Sequence, residues 1–288
     1  MGLLLITRFT MQEVLRRWLF LALLLISLLL VGVFALLFNI TVDQVLANHN
    51  PDTTPQMAVL TNAIVISVLA TWAAYLMSST LTIFVTAGMI SGEVEAGTFA
   101  VMVPKPLRRA EIIFGKWLAY ALILSVYTAL LVLAFLVVIY LKTGYWPEQV
   151  LEPLGMLELS MLTVLALTTL GGTLMSTVVN GAVAFMLFIG APLASITQFA
   201  IPTQSQTIKN IITIINMAIP ADALWRATSS YLLPTDLLAL FSPDAAQGLS
   251  NIPLIGPQSV STAFLIWVVL YCIALPVVGA LRFQRRDL

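Results

Sequence analysis

WLFLALLLISLLLVGVFALLF, residues 18–38, is a run of 21 residues without a charged side chain. A helix needs about 20 predominantly apolar residues to cross the hydrocarbon core of a bilayer. The run is too long for the apolar core of a signal peptide, and no A-x-A cleavage pattern follows it. We therefore interpret it as a membrane anchor that the protein retains.

The composition of the whole chain agrees with this interpretation. Of the 288 residues, 60% are hydrophobic and 9% are charged, whereas a soluble domain carries about 25% charged residues. The polar surface is too small for a soluble protein of this length, so we predict an all-α integral membrane protein. Six transmembrane helices are expected, over residues 18–38, 57–88, 112–141, 154–175, 182–200 and 261–281.

Several classes of function are disfavoured by the same composition. The net charge is zero, so we expect no nucleic-acid partner. A single cysteine, Cys272, excludes an internal disulfide and argues against a thiol metal site. The only histidine, His49, lies in NHNPDTTP (48–55), a pattern typical of a solvated turn. We therefore expect no metal and no cofactor in this chain.

The placement of Lys and Arg predicts the topology. If the N-terminus is cytoplasmic, ten of the 13 basic residues fall in inner segments, as the positive-inside rule requires. Both termini are then cytoplasmic, and the protein is a multi-pass component of the inner (plasma) membrane.

The chain is organised as one transmembrane domain, 1–288. Residues 1–17 are expected to form a helix in the cytoplasmic interface, with an unstructured basic flank as the alternative. Residues 89–111 form a cytoplasmic loop between spans two and three. The segment 201–260 is expected to form an outer helical excursion, with surface helices resting on the membrane and breaks at Pro220, Pro234 and Pro243.

The loop between spans two and three concentrates charge. Residues 90–117 hold seven of the 26 charges of the chain. Glu93 and Glu95 do not share a helix face, so they do not form a convergent catalytic pair. Gly115 and Lys116 resemble the end of a phosphate-binding loop, but Trp117 follows them and no glycine lies at position 110, so that motif is absent.

A helical elbow fits the loop better. Residues 91 to about 101 are predicted to be helical, Pro104 and Pro106 stop that helix, and a second helix starts near Leu107. Such an elbow suits docking into a polar cleft of a soluble partner. An ordinary polar loop with positive-inside residues is the alternative, and the sequence leaves both open.

The loop resembles that of ABC-2 type ABC transporter permeases, which carry E-x-E-x-G-T, then P-x-x-R-x-E, then G-K. The matching residues here are Glu93, Glu95, Gly97, Thr98, Pro106, Arg109, Glu111, Gly115 and Lys116. Lys105, between two prolines, departs from the pattern. PADALWR (220–226) is similar to the outer loop of the subfamily that includes the permease of the nitrous oxide reductase maturation system.

The resemblance implies a permease subunit of an exporter. Two permease chains, identical or homologous, would pair in the bilayer, and each would dock a separate ABC ATPase that holds ATP and magnesium. The loop would act as a coupling helix, with the ATPase interface formed by Glu93, Glu95, Gly97, Thr98, Pro106, Arg109, Glu111 and Lys116. The chain itself has no Walker motif, so it is not expected to be an enzyme.

Span two carries a stripe of polar residues at helical spacing. The stripe consists of Ser67, Thr71, Tyr75, Ser79, Thr82 and Thr86. It suits either close helix packing, which we favour, or the lining of a translocation path. Glu158 is the only carboxylate expected inside a span, and snorkelling towards the interface is its favoured interpretation. A path without charge would suit lipids, hydrophobic drugs or lipopeptides.

Two rival functions stay open. An intramembrane hydrolase or lipid transferase would use Glu93 and Glu95, or Asp222, as its acids. A membrane anchor would recruit a soluble partner without transporting anything.

Overall fold

The computed structural model describes residues 2–47, 54–96, 109–200, 206–233 and 260–284. All regular secondary structure in these ranges is helical. The helices are α1 (Gly2–Arg16), α2 (Trp18–Ala47), α3 (Pro55–Thr86), α4 (Ser91–Glu95), α5 (Arg109–Thr143), α6 (Leu151–Leu174), α7 (Thr177–Ala200), α8 (Gln206–Ala218), α9 (Ala221–Leu232) and α10 (Thr262–Gln284).

The helices confirm the predicted class of all-α membrane protein. Among the described residues, five helical segments are long and apolar enough to cross a bilayer: α2, α3 together with α4, α5, α6 and α10. Helix α7 is also apolar over Thr177–Leu193, the part of it whose side chains the structure describes. The fifth predicted span, 182–200, is therefore helical, while its crossing of the membrane stays a prediction.

Helix α6 is the centre of the bundle. It packs against α3, α5, α7, α9 and α10, and small polar residues such as Ser160, Thr168 and Thr169 are buried on it. Small side chains let helix backbones approach closely, which is how helices associate where lipid removes the usual hydrophobic driving force.

Helix α1 packs along the start of α5, which confirms that residues 2–16 are helical rather than an unstructured flank. Gly115 allows the contact, because a Cβ atom there would lie 2.9 Å from the Ile6 Cβ. The Thr7 hydroxyl donates a hydrogen bond to the Gly115 carbonyl at 3.1 Å. The chain leaves helical geometry at Arg17 before α2 begins.

One end of the bundle gathers basic residues, and we call it the basic end. Arg16 and Lys116 lie there because α1 packs on α5. The C-terminal half of α10, which ends near Arg282, also lies there, since a Cβ at Gly279 would be 3.4 Å from the Thr173 side chain. The N-terminus of α6 and the C-terminus of α5 lie at the opposite end.

The expectation of surface helices between spans five and six is wrong for α9. Ten of its twelve residues are buried. Ser160 donates a hydrogen bond to the Ala221 carbonyl at 3.2 Å, and Thr228 to the Pro153 carbonyl at 3.5 Å. Ser160 lies about 14 Å along α6 from its first residue, at 1.5 Å per residue. Helix α9 therefore starts deep in the bundle and rises towards the opposite end.

A short turn at Pro220 joins α8, which is mostly exposed, to the buried α9. The predicted break at Pro220 is confirmed, since α8 ends at Ala218 and α9 begins at Ala221. Trp267 and Tyr271 of α10 donate hydrogen bonds to the carbonyls of Met217 and Ala218. These bonds satisfy the last carbonyls of α8, which would otherwise be orphaned away from water. Pro234 and Pro243 lie outside the described residues.

Candidate functional site

Two of the charged loop residues, Glu93 and Lys116, form an ion pair with each other. The Lys116 ammonium contacts the Glu93 carboxylate, and the two side chains are 7% and 14% exposed. The same ammonium donates a hydrogen bond to the Met89 carbonyl at 3.0 Å. Removing one partner of such a buried pair leaves an uncompensated charge. The pair therefore fastens α4 to the start of α5.

Glu95 caps another helix. Its carboxylate accepts hydrogen bonds from the Thr177 backbone N–H at 3.0 Å and from the Thr177 hydroxyl at 3.2 Å. Thr177 is the first residue of α7, where free N–H groups and the helix dipole favour a negative charge. The Glu95 carboxylate therefore links α4 to α7 and does not serve to stabilise the first turn of its own helix.

A second layer of contacts lies behind these two acids. Ser91 and Thr177 share a hydrogen bond between their hydroxyls at 2.9 Å. Asn180 donates to the carbonyls of Ala87 and Thr168, at 2.9 and 3.0 Å. Gly171 leaves room for the Asn180 amide, since a Cβ there would lie 2.0 Å from its Oδ1.

We call the set of α4 with Lys116, Thr177 and Asn180 the α4 junction. It joins α4 to the ends of α5, α6 and α7 at the basic end. The sequence motifs did not identify Thr177 and Asn180 as partners of α4. Both residues follow the turn of two residues, Met175 and Ser176, that joins α6 to α7.

Glu93, Glu95 and Lys116 therefore have partners within the chain. Glu111 is half-buried in the first turn of α5, which Arg109 begins. The other predicted interface residues, Gly97, Thr98 and Pro106, lie outside the described residues, as does the predicted extension of the first helix to residue 101. A docking role for the set stays a prediction.

The polar stripe of span two lies inside the single chain. Its six residues on α3 are at most 2% exposed. Thr71, Thr82 and Thr86 donate hydrogen bonds to carbonyls one turn earlier. Thr86 also shares a hydrogen bond with Thr168 of α6 at 2.7 Å. These contacts support helix packing, while a path lined by the stripe stays a prediction.

Tyr75, in the middle of the stripe, contacts α9. Its ring stacks on Trp225 of α9 at a centroid distance of 5.7 Å and also contacts Phe188 of α7 at 5.4 Å. Among the described residues, its buried hydroxyl has no hydrogen-bond partner. The aromatic contacts account for the burial of the ring without any role for the hydroxyl.

Helix α9 carries a buried ion pair that the sequence motifs did not single out. Asp222 Oδ2 lies 3.0 Å from Arg226 Nε, and the side chains are 4% and 6% exposed. Acid and base four residues apart on a predicted helix were the available signal. Asp222 is therefore engaged by Arg226. Of the carboxylates offered for an enzyme, Glu93 and Glu95 lie on α4 and Asp222 lies on α9.

Glu158 lies on α6, half-buried, with the Ser125 hydroxyl of α5 beside its carboxylate. Its other oxygen, Oε2, is buried and has no hydrogen-bond partner among the described residues. Snorkelling of this carboxylate towards the membrane surface stays a prediction. Across the described part of the chain, no three His, Cys, Asp or Glu side chains form a group that could hold a metal ion.

Comparison with known families fits this architecture. A family model described as "ABC-2 family transporter protein" matches residues 5–288. The chain therefore belongs to the ABC-2 family and is the membrane-spanning permease component of an ABC transporter, not itself the catalytic subunit. No match was found among curated proteins.

Proposed function

We propose that this permease exports its substrate and takes its energy from a separate ABC ATPase that docks on residues 91–109. The single observation that carries the proposal is the α4 junction. A docking segment can drive transport only if its movement reaches the membrane helices. Here α4 is fastened to α5 by the Glu93–Lys116 pair and to α7 by the Glu95 cap.

The two acids of the E-x-E motif then have distinct mechanical roles. A force on α4 passes to α5 through Lys116 and to α7 through Thr177. Because packed helices move as units between discrete arrangements, movement of α4 shifts several helices together. The segment 97–108 supplies the remaining ATPase contacts, which include Gly97, Thr98 and Pro106.

The complete transporter would contain two permease chains, identical or homologous, and two ATPases, each with ATP and magnesium. Both termini of each permease would face the cytoplasm at the basic end, in the inner membrane. The translocation path would form between the two chains. The PADALWR segment supports placing this chain near the nitrous oxide reductase maturation subfamily.

An experiment with charge exchange tests the coupling role. The chain is expressed with its ATPase and purified, and we measure both the amount of ATPase retained and the substrate-stimulated ATP hydrolysis. Glu93→Lys places two cations together and should weaken both. Adding Lys116→Glu restores an internal pair of reversed sign. If Glu93 acts only through Lys116, the double variant recovers stimulated hydrolysis.

One control variant and three outcomes distinguish the possible roles of this segment. Lys142→Gln removes an exposed charge at the other end of α5 and should leave both readouts unchanged. If the double variant remains unable to retain the ATPase, Glu93 contacts that subunit directly. If Glu93→Lys and Glu95→Lys together keep full recruitment and full hydrolysis, the segment is only a connector and the proposal fails. If recruitment is normal but no substrate moves, the chain is an anchor.

A further inference from the structure

An apolar groove opens between α2 and α5 on the side of the bundle away from α9. Its volume is about 600 Å³. Leu24 and Leu28 of α2 form one wall, Val126 and Leu130 of α5 form the other, and Met11 of α1 closes part of one end. The exposed fractions of Leu28, Val126 and Leu130 are 64%, 60% and 64%, so the groove opens sideways, at the depth where the helices meet hydrocarbon.

The polar groups in the groove are already satisfied. Ser27 and Tyr127 share a hydrogen bond between their hydroxyls at 2.5 Å, and Ser27 also contacts the Leu23 carbonyl at 2.8 Å. The rest of the lining is aliphatic or aromatic. A ligand here therefore meets an apolar surface and gains nothing from polar groups along its length, which is the chemistry of an acyl chain.

Two exposed arginines lie at the α1 end of the groove. Met11 and Leu15 of α1 line that end, and Arg8 lies three and seven residues before them, on the same helix face. Arg16 follows Leu15, and both arginines are exposed. Among the described residues, neither arginine has a hydrogen bond or ion pair, whereas the neighbouring Arg17 is paired with Glu13 at 2.6 Å.

We infer that the groove is a binding site for a phospholipid with an anionic headgroup. One acyl chain lies between α2 and α5, and the phosphate meets Arg8 and Arg16 at the basic end. Arginine binds phosphate through its fork of N–H donors, and basic residues near a bilayer surface attract anionic lipids. The lipid would hold α2, which packs loosely on the bundle, against α5. This inference does not depend on an ATPase or on the direction of transport.

The test uses the purified full-length chain in detergent with two lipids of equal acyl length, phosphatidylglycerol and phosphatidylcholine. Native mass spectrometry measures how much of each remains bound. The unmodified chain should retain phosphatidylglycerol roughly 30-fold better, as expected for two arginines near an anionic headgroup. Val126→Trp should fill the groove and remove the bound lipid. Val137→Trp, also on α5 and 37% exposed but outside the groove, is the matched control.

The charge arm separates headgroup from acyl chain. Arg8→Gln with Arg16→Gln should abolish the preference for phosphatidylglycerol while a lipid still binds. Arg282→Gln, at the same end on α10, should keep the preference. Circular dichroism checks that each variant is folded, and Leu130→Trp serves as a second groove-filling variant if Val126→Trp is not.

Three outcomes would overturn the inference. The first is equal retention of the two lipids by the unmodified chain. The second is lipid binding by both groove-filling variants at the level of the unmodified chain. The third is that these variants dissociate a dimer without any loss of lipid, which would make the groove an interface between two copies.

Discussion

Helix α2 has the more apolar sequence but is the more exposed of the two, whereas α9 has the more polar sequence but is the more buried. Helix α2 is dominated by leucine and has one charged residue, Asp43, near its end, yet only Phe20, Ser27, Phe38 and Val42 of its 30 residues are buried. Helix α9 holds a buried Asp–Arg pair and several hydroxyls, and ten of its twelve residues are buried.

This contrast identifies the kind of residue that forms the interior of this protein. In a soluble protein water drives apolar residues inward, but around this bundle the solvent is hydrocarbon. Leucine gains little by leaving lipid for protein, whereas a charged or hydroxyl group gains partners. Polarity therefore marks the interior here. The variants that follow test the comparison, in order of decreasing expected effect.

Asp222→Ala should give the largest loss of stability. Arg226 would keep its charge in the bundle without its carboxylate, and breaking a buried pair in this way costs about 3–5 kcal/mol. The free energy of unfolding is measured by titration with SDS in mixed micelles. Asp43→Ala breaks the pair with Lys142, in which the Asp43 side chain is 66% exposed, and should cost no more than about 1 kcal/mol. Equal losses would contradict the buried position of α9.

Leu224→Ala tests the same contrast without charge. Leu224 of α9 is fully buried, whereas Leu29 of α2 is 65% exposed. Truncating Leu224 leaves a cavity and should lower the free energy of unfolding by roughly 2 kcal/mol, the low end for Leu→Ala, because lipid also surrounds leucine in the unfolded reference. Leu29→Ala should change it little. If the Leu29 variant proves the more damaging, α2 is covered by a partner that the single chain lacks.

Gly171→Ala tests the α4 junction. The added methyl group would displace the Asn180 amide, which holds Ala87 and Thr168. Losing those hydrogen bonds to buried carbonyls should cost roughly 1–2 kcal/mol. Gly155→Ala, on the same helix with nothing within 4 Å of the added atom, is the control and should be neutral. A thermal unfolding midpoint that falls equally for both would show that helix propensity, not the junction, is being measured.

Tyr75→Phe should have the smallest effect on stability. The ring contacts with Trp225 and Phe188 remain, and only a hydroxyl without a partner in the described residues is removed. The expected change in unfolding free energy is below about 0.5 kcal/mol. Transport and stimulated ATP hydrolysis are measured alongside. Normal stability with altered transport would place the hydroxyl on the translocation path and revise the packing interpretation of the stripe.

The sequence by itself determined the class of the protein and most of its helices. Runs such as 18–38 predict helices inside a membrane, because 9% charged residues cannot cover 60% hydrophobic ones in water. The E-x-E and G-K motifs located Glu93, Glu95 and Lys116 of the α4 junction on the chain. Helical spacing alone placed Ser67 to Thr86 on one face of α3, since the period of a helix is a local property.

Tertiary structure alone decided which polar residues meet. Glu93 and Lys116 are 23 positions apart, and Glu95 and Thr177 are 82 apart. No local pattern records such separations. The burial of α9 could not be predicted from the sequence either, because a short helix that carries Asp222 and Arg226 has the pattern of a surface helix. In the folded chain, α9 is surrounded by other helices, with contacts to Ser160, Pro153 and Tyr75. Partners of this kind are fixed by packing between distant helices, so the interior of the bundle could be known only once the helices were assembled.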